Sequence, residues 1–304
     1  MQTLHRTSLL TVLIIAGVLV SAPAVPQAGA QAKGRTRDVY VSVTDKSGAV
    51  AKDLALTDVS IKEDNQSREV LAIASAAKTP MRIALLVDNS QVTQSLPNEL
   101  HQALNGFITA IFKTSPDSTM SLATFGDRPT PVQGFTNAAP ILVRSVSRIF
   151  PMSGAGAYLI DAVIDAAKDL HREPGPRQII VAFVDESGEE FSNSSRQQAL
   201  EALRNANASL WIVAMQSTST NLGSAESRDR SALIDEGVKG SGGATLSLLN
   251  RLSLPPKMIE LATMLTNQLQ VTYGRPEQMI PPKKLEIQLT RKDLKLQAPR
   301  WAGQ

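Results

Sequence analysis

Hydrophobic residues change their spacing three times along this chain. Between residues 37 and 75 they alternate with polar ones: Val39, Val41 and Val43 are separated by Tyr40, Ser42 and Thr44, and Asp45-Lys46-Ser47-Gly48 follows with the composition of a turn. A period of two is the mark of a strand with one buried face. Two further strands are expected at 59–63 and 68–74, joined across the polar turn Asp64-Asn65-Gln66. From residue 80 to about 249 the pattern becomes short continuous apolar runs separated by helical periods. The run from Ile83 to Val87 is unbroken, as a strand covered on both faces should be. Residues 97–113 carry Leu100, Leu104, Phe107, Ile108 and Ile111 at three- and four-residue spacing, which predicts a helix. Similar readings place strands at 121–125, 178–184 and 210–215, and helices at 138–149, 159–171, 195–205 and 228–236. Gly242-Gly243 announces a turn before an edge strand at 244–248. The alternation of strand and helix predicts an α/β domain with a doubly wound, mostly parallel sheet. A helix at 256–268 ends this stretch, and period two returns in Leu269, Val271 and Tyr273, in Leu285, Ile287 and Leu289, and in Leu294 and Leu296, interrupted by Pro281-Pro282. β segments on both sides of the α/β part predict that the N- and C-terminal pieces share a small accessory β-sheet.

The first thirty residues read as an address. Arg6 supplies a charged start, residues 9–20 an uncharged apolar run, and Ala28-Gly29-Ala30 a small-residue cleavage site before Gln31. The apolar run is shorter than the roughly 20 residues a membrane-spanning helix needs. The chain is therefore expected to divide into a signal peptide at 1–30, a β segment at 31–79, the α/β domain at 80–250 and a helix with β strands at 251–304. The mature protein should be exported, periplasmic or secreted, without an integral span; an uncleaved N-terminal anchor is the alternative. Charge is nearly balanced, with 31 Lys and Arg against 28 Asp and Glu. Neither nucleic acid nor an anionic membrane is indicated as a partner. Cysteine is absent, which removes disulfides, thiolate metal sites and cysteine-linked lipid from consideration.

Ligands of open parallel sheets bind beyond the carboxyl ends of the strands. Asp88-Asn89-Ser90-Gln91-Val92 follows the first buried run, and Asp185-Glu186-Ser187-Gly188-Glu189-Glu190 follows the run at 178–184. Two carboxylates and a hydroxyl on neighbouring strand ends suit a hard cation such as Mg²⁺ or Mn²⁺. The same composition also suits ordinary turns and caps, in which these side chains bond nearby amides.

These segments resemble those of the von Willebrand factor type A (VWA) family. Asp88-Asn89-Ser90-Gln91-Val92 is similar to the family's Asp-x-Ser-x-Ser motif, the stretch from Ala155 to Ala162 to its Gly-Gly-Thr-x-Leu-Tyr-Asp-Ala, and Val184-Asp185-Glu186 to its Thr-Asp-Gly. The flanking pieces, Val43 to Gly48 with Val59 to Asp64 and Leu285 to Arg300, look like the ends of VWFA-related proteins exported by some bacteria. The resemblance implies a Rossmann-like fold that meets a protein partner through strand-end loops, and a metal-ion-dependent adhesion site (MIDAS). Of the family's five side-chain positions, Asp88, Ser90 and Asp185 match, whereas Val92 and Ala157 stand where hydroxyls belong. A degenerate site is expected, with Mg²⁺ or Mn²⁺ bound weakly or not at all. Thr93, Ser153, Glu186 and Glu189 are near enough in sequence to substitute.

Other chemistry is sparse. His101 and His171 each fall on an expected helix, facing solvent, and neither has a second histidine at ligand spacing. Ser75-Ala76-Ala77-Lys78 has the Ser-x-x-Lys form of acylating enzymes without their other motifs, and reads as a linker. Gly154-Ala155-Gly156 lacks the rest of a phosphate loop and reads as a turn. The expectation is a non-enzymatic binding protein with an extracytoplasmic protein partner. A metal-independent structural component of an envelope assembly and a hydrolase using Ser75 or the acidic cluster are the rivals.

Overall fold

The unbroken apolar runs become strands with both faces covered, and the helical periods become the covering layers. The computed structural model describes residues 35–303 apart from 52, 217–222 and 278–279. The leader expected at 1–30 lies outside the described residues. The chain opens with β1 (Arg35–Asp45), β2 (Val59–Glu63), β3 (Gln66–Arg68) and β4 (Val70–Ser75). The α/β part follows as β5 (Arg82–Val87), α1 (Pro97–Thr114), β6 (Thr119–Thr124), β7 (Thr130–Thr136), α2 (Ala139–Val146), α3 (Leu159–Arg172), β8 (Gln178–Asp185), α4 (Arg196–Ala206), β9 (Ser209–Met215), α5 (Ala225–Ser241) and β10 (Thr245–Leu248). It closes with α6 (Leu254–Thr266), β11 (Leu269–Arg275), β12 (Leu285–Leu289) and β13 (Leu294–Gln297). No helix among the described residues is long and apolar enough to cross a membrane.

The central sheet has the order β10-β9-β8-β5-β6-β7, parallel throughout except for β7. Successive side chains of a strand point to opposite faces. In β5, Ile83, Leu85 and Val87 therefore join one core with Leu104 and Phe107 of α1 and Leu261 of α6. Ala84 and Leu86 join the opposite core with Val163 of α3, Leu203 of α4 and Leu233 of α5. β7 is the strand that the pattern does not predict. Pro131 and Gly134 argue against a strand, and they are tolerated because β7 is an antiparallel edge that needs hydrogen bonds on one side only.

Instead of one accessory sheet there are two. β1 lies between β13 and β11, with β4 beyond β11, and β12-β2-β3 forms a separate three-stranded sheet. They share a core of Val39, Val41, Val43, Ile61, Val271 and Tyr273. The single strand expected at 68–74 is split at Glu69, because Arg68 pairs with Ile61 while Val70–Ser75 pair with β11. Between the two sheets the fully enclosed Glu63 carboxylate meets Arg275 at 2.6 Å, Arg68 at 2.9 Å and the Tyr273 hydroxyl at 2.7 Å. Burial alone would raise this carboxyl, but the donors from Arg275, Tyr273 and Arg68 outweigh it and hold Glu63 low. Burial, with Glu63 beside it, pushes the Tyr273 hydroxyl up to about 12.

Arg177, at the start of β8, ties the accessory segments to the central sheet. Its buried guanidinium donates to the carbonyls of Ala76 (3.0 Å), Thr79 (3.3 Å) and Leu265 (2.7 Å) and to Gln268 Oε1 (2.7 Å). Burial lowers its pKa to about 10.

Candidate functional site

Parallel β5 and β8 lie side by side, so their carboxyl ends bring Asp88 and Asp185 together. Asp88 Oδ1 accepts the Ser90 amide at 2.9 Å and Oδ2 accepts the Asp185 amide at 3.1 Å. Asp185 Oδ1 accepts the Ser187 amide (3.0 Å) and hydroxyl (2.6 Å). The three expected site residues are thus neighbours, but all are enclosed: Asp88 is 0% exposed, Ser90 1% and Asp185 7%. Burial pushes the Asp88 carboxyl above its ordinary range, and the Asp185 charge adds to the shift.

The loop after β5 is held on its other side by Asn89. Its Oδ1 accepts the Gly126 amide at 2.8 Å, and its Nδ2 donates to the Phe150 carbonyl at 3.2 Å. Gly126 must be glycine for this approach, since a Cβ would sit 2.7 Å from Asn89 Oδ1 and 2.9 Å from the Ser90 nitrogen. Ala157 joins the loop after β6 to the loop after β8. It bridges to both Gly126 and Glu190, its amide donates to the Glu189 carbonyl (2.9 Å), and its carbonyl accepts from Phe191 (2.8 Å). Two residues outside the expected ligand set complete the arrangement. Glu190 caps α3, accepting the Leu159 and Ile160 amides at 3.3 Å each and the Ser192 hydroxyl at 2.5 Å. Burial raises its pKa to about 7. Arg230 reaches in from α5 and donates to the Gly188 (2.8 Å) and Glu186 (3.2 Å) carbonyls.

Of the nearby candidates, Thr93 and Ser153 are engaged elsewhere. Thr93 Oγ1 donates to the Ser90 carbonyl at 2.8 Å, and Ser153 Oγ accepts from Gln94 at 3.3 Å. The Gly154 amide goes to Gln91 Oε1 and the Ala155 amide to the Met152 carbonyl, so this turn does not form a phosphate cradle. Ser75 ends β4, where its Oγ accepts the Ala77 amide at 3.3 Å, the geometry of a turn. His101 is half-buried, not solvent-facing, because its Nε2 lies 2.7 Å from the Ile149 carbonyl beneath the Phe150 ring. His171 is exposed, with Nδ1 at 2.9 Å from the Asn205 carbonyl.

Residues 83–189 match the family model described as von Willebrand factor type A domain. The chain contains a VWA domain. The fold is similar to that of a zinc-occupied form of proximal thread matrix protein 1 from the mussel byssus, in which the metal fills the MIDAS motif. The two agree at 13% identity with a TM-score of 0.53, over 68% of this chain and 50% of that one. The chain thus spans about half the length of the mussel protein. The SpRpn10 VWA domain gives 16% identity and a TM-score of 0.45 over 59% of this chain and 95% of that one. The PilB minor pilin of Streptococcus sanguinis gives 11% and 0.46 over 62% of each. At these identities the likeness is of fold alone. No curated protein matches the chain.

Some VWA domains hold a metal at this place, so the donors here can be compared with what a cation requires. Mg²⁺ needs near-octahedral oxygens at about 2.0–2.1 Å and keeps several waters. Ser90 Oγ is buried without a hydrogen bond of normal geometry, close enough to the Asp88 carboxyl to act against the rise in its pKa. Around it the chemistry is unsuitable. Both oxygens of Asp88 are bonded to amides, and Ala157 presents a methyl group to the apolar core. Val92 and Gly188 close over Ser90: a Cβ on Gly188 would lie 3.2 Å from Val92 Cγ2 and 3.7 Å from Ser90 Oγ. The residues present offer a divalent cation fewer oxygens than the full motif does, and they are enclosed.

Proposed function

We propose that this is an exported, non-enzymatic binding protein whose VWA domain meets an extracytoplasmic protein through its strand-end loops, Mg²⁺ or Mn²⁺ being weakly bound or dispensable. One observation carries the reading. Phe150, Met152, Phe191, Leu249 and Leu252, each 42% exposed or more, all sit in connections at the carboxyl ends of the strands, Leu252 in a single 3-10 turn. Exposed aromatic and methionine side chains grouped on one face mark partner sites, where such residues supply most of the binding energy. Phe150 and Met152 flank the 150–157 loop from one side; the Phe191 ring covers it from the other, lying against Gly156 and 6.3 Å from the Tyr158 ring. Export rests on the leader at residues 1–30, and predicts a mature protein that begins at Gln31.

Site-specific photo-crosslinking in cells tests the reading. A crosslinker at Phe150 or Phe191 is expected to give a discrete protein adduct, while one at Glu201 of α4 gives none. Adducts only from Lys62 on the accessory sheets would favour the structural-component reading, and the absence of any adduct at the strand ends would overturn the proposal. The hydrolase reading has weak support: Ser75 closes a turn before the amino end of β5, whereas the acidic cluster follows the carboxyl end of the neighbouring β8.

A further inference from the structure

A metal at the strand ends of a domain like this would join loops that belong to different strands. In this chain those loops are already joined by its own groups. Asp88 links the loop after β5 to the end of β8, accepting one amide on each oxygen. Asn89 links the same loop to Gly126 after β6 and to Phe150 beyond α2. Ala157 pairs with Gly126 on one side and Glu190 on the other. Arg230 holds the remaining stretch. The residue is 2% exposed and its guanidinium bonds the carbonyls of Gly188 and Glu186, so a positive charge from α5 is buried against the most acidic loop of the face. An arginine presents several donors in a fixed planar fork and stays charged, so it can bind two carbonyls of one loop and offset neighbouring carboxylates together.

We propose that Arg230 and Asp88 form a protein-built clasp that takes over the loop-joining role of a divalent cation, so that the docking face holds its shape without metal. The proposal deepens the partner-binding reading and concerns the same face. Arg230 acts as a positioning residue: it touches backbone carbonyls, and the side chains expected to meet the partner are those of Phe150, Met152 and Phe191. One of the substitutions that remove ligands from the MIDAS pattern also favours the clasp: Val92 packs over Gly188, whose carbonyl Arg230 holds.

Amide hydrogen exchange on the mature chain tests this without a known partner. Exchange in segments 88–92, 153–158 and 186–191 is expected to be the same in chelator as in millimolar Mg²⁺, Mn²⁺ or Zn²⁺. Arg230→Met should raise exchange in 186–191 by about tenfold while leaving the accessory sheets unchanged. Arg230→Lys, which keeps the charge but loses the fork, should recover part of that protection. If Arg230→Met does not fold, Asp88→Asn provides the second test, with faster exchange expected at the Ser90 and Asp185 amides. Val92→Ser with Ala157→Thr should make protection of these loops respond to Mn²⁺. Metal-dependent protection in the unaltered protein, or unchanged exchange in both the Arg230→Met and the Asp88→Asn proteins, would overturn the proposal. Failure of the crosslinking experiment alone would remove the partner reading and leave the clasp standing.

Discussion

At the residue scale, the chemistry of this site is decided by what each polar group is already bonded to. Asp88, Ser90 and Asp185 could be read in the sequence as a converging set, because apolar runs end in polar residues where parallel strands stop. Their state could not. The Asp88 carboxylate is occupied by two amides, one of them ninety-seven positions away along the chain. Glu190 shows the same limit: it reads as one more acid in a solvated loop, yet it is enclosed at the start of α3 with its pKa raised to about 7. A direct consequence is a pH dependence of stability. Below the ordinary glutamate pKa of 4.5, Glu190 is protonated in both the folded and unfolded chain and contributes nothing. Between that value and about 7 the unfolded chain releases the proton while the native one keeps it, so stability falls as pH rises. The full penalty, on the order of 3 kcal/mol, is present above about pH 7. Glu190→Gln should remove this slope. Denaturant unfolding at several pH values checks it, and identical profiles for the two proteins would refute the assignment.

At the element scale, the sequence pattern was most informative where burial is one-sided or complete. The alternation in β1 and β11 and the unbroken runs of β5, β8 and β9 appear within a residue or two of where they were expected. β7 was invisible, because an edge strand with little burial has no hydrophobic signature and can include Pro131. The split between β3 and β4 was hidden for another reason. Arg68 follows its charge partner Glu63 into one sheet while Val70 follows β11 into the other. Close approach between elements is equally unmarked. Gly126 has the composition of any loop glycine, but it lets the turn after β6 lie against the loop after β5. Gly126→Ala should cost about 1–3 kcal/mol, because the new methyl meets backbone that cannot move aside. A melting temperature within a degree of the unaltered protein would show that the loops can separate freely.

At the scale of the whole molecule, the terminal β segments and the VWA domain depend on each other through a few buried polar groups. Arg177 is the clearest, with three carbonyls and Gln268 from separate segments gathered on one guanidinium. Arg177→Met leaves those carbonyls buried without a donor, and a loss of about 3 kcal/mol is expected. For a chain of this size that is a fall in melting temperature of about 2–4 °C per kcal/mol. Accessory sheets that melt separately from the central sheet in this variant, followed by exchange or proteolysis, would identify Arg177 as the joint between them. A protein with unchanged stability would show that hydrophobic contact alone joins them.

The sequence by itself determined the elements that bury an apolar face, their order, the α/β domain between two β flanks, and the three matching site positions. It could do so because burial imposes a period on local sequence, and strand ends impose polarity. Only the tertiary structure decided that there are two accessory sheets, that Arg230 and Glu190 belong to the site, and that Asp88 is already satisfied. Those outcomes depend on which hydrogen-bond partner reaches a group first once distant segments pack, and local periodicity does not encode that competition. The strand-end face is therefore legible in sequence as a place, and its bonding is legible only in the fold.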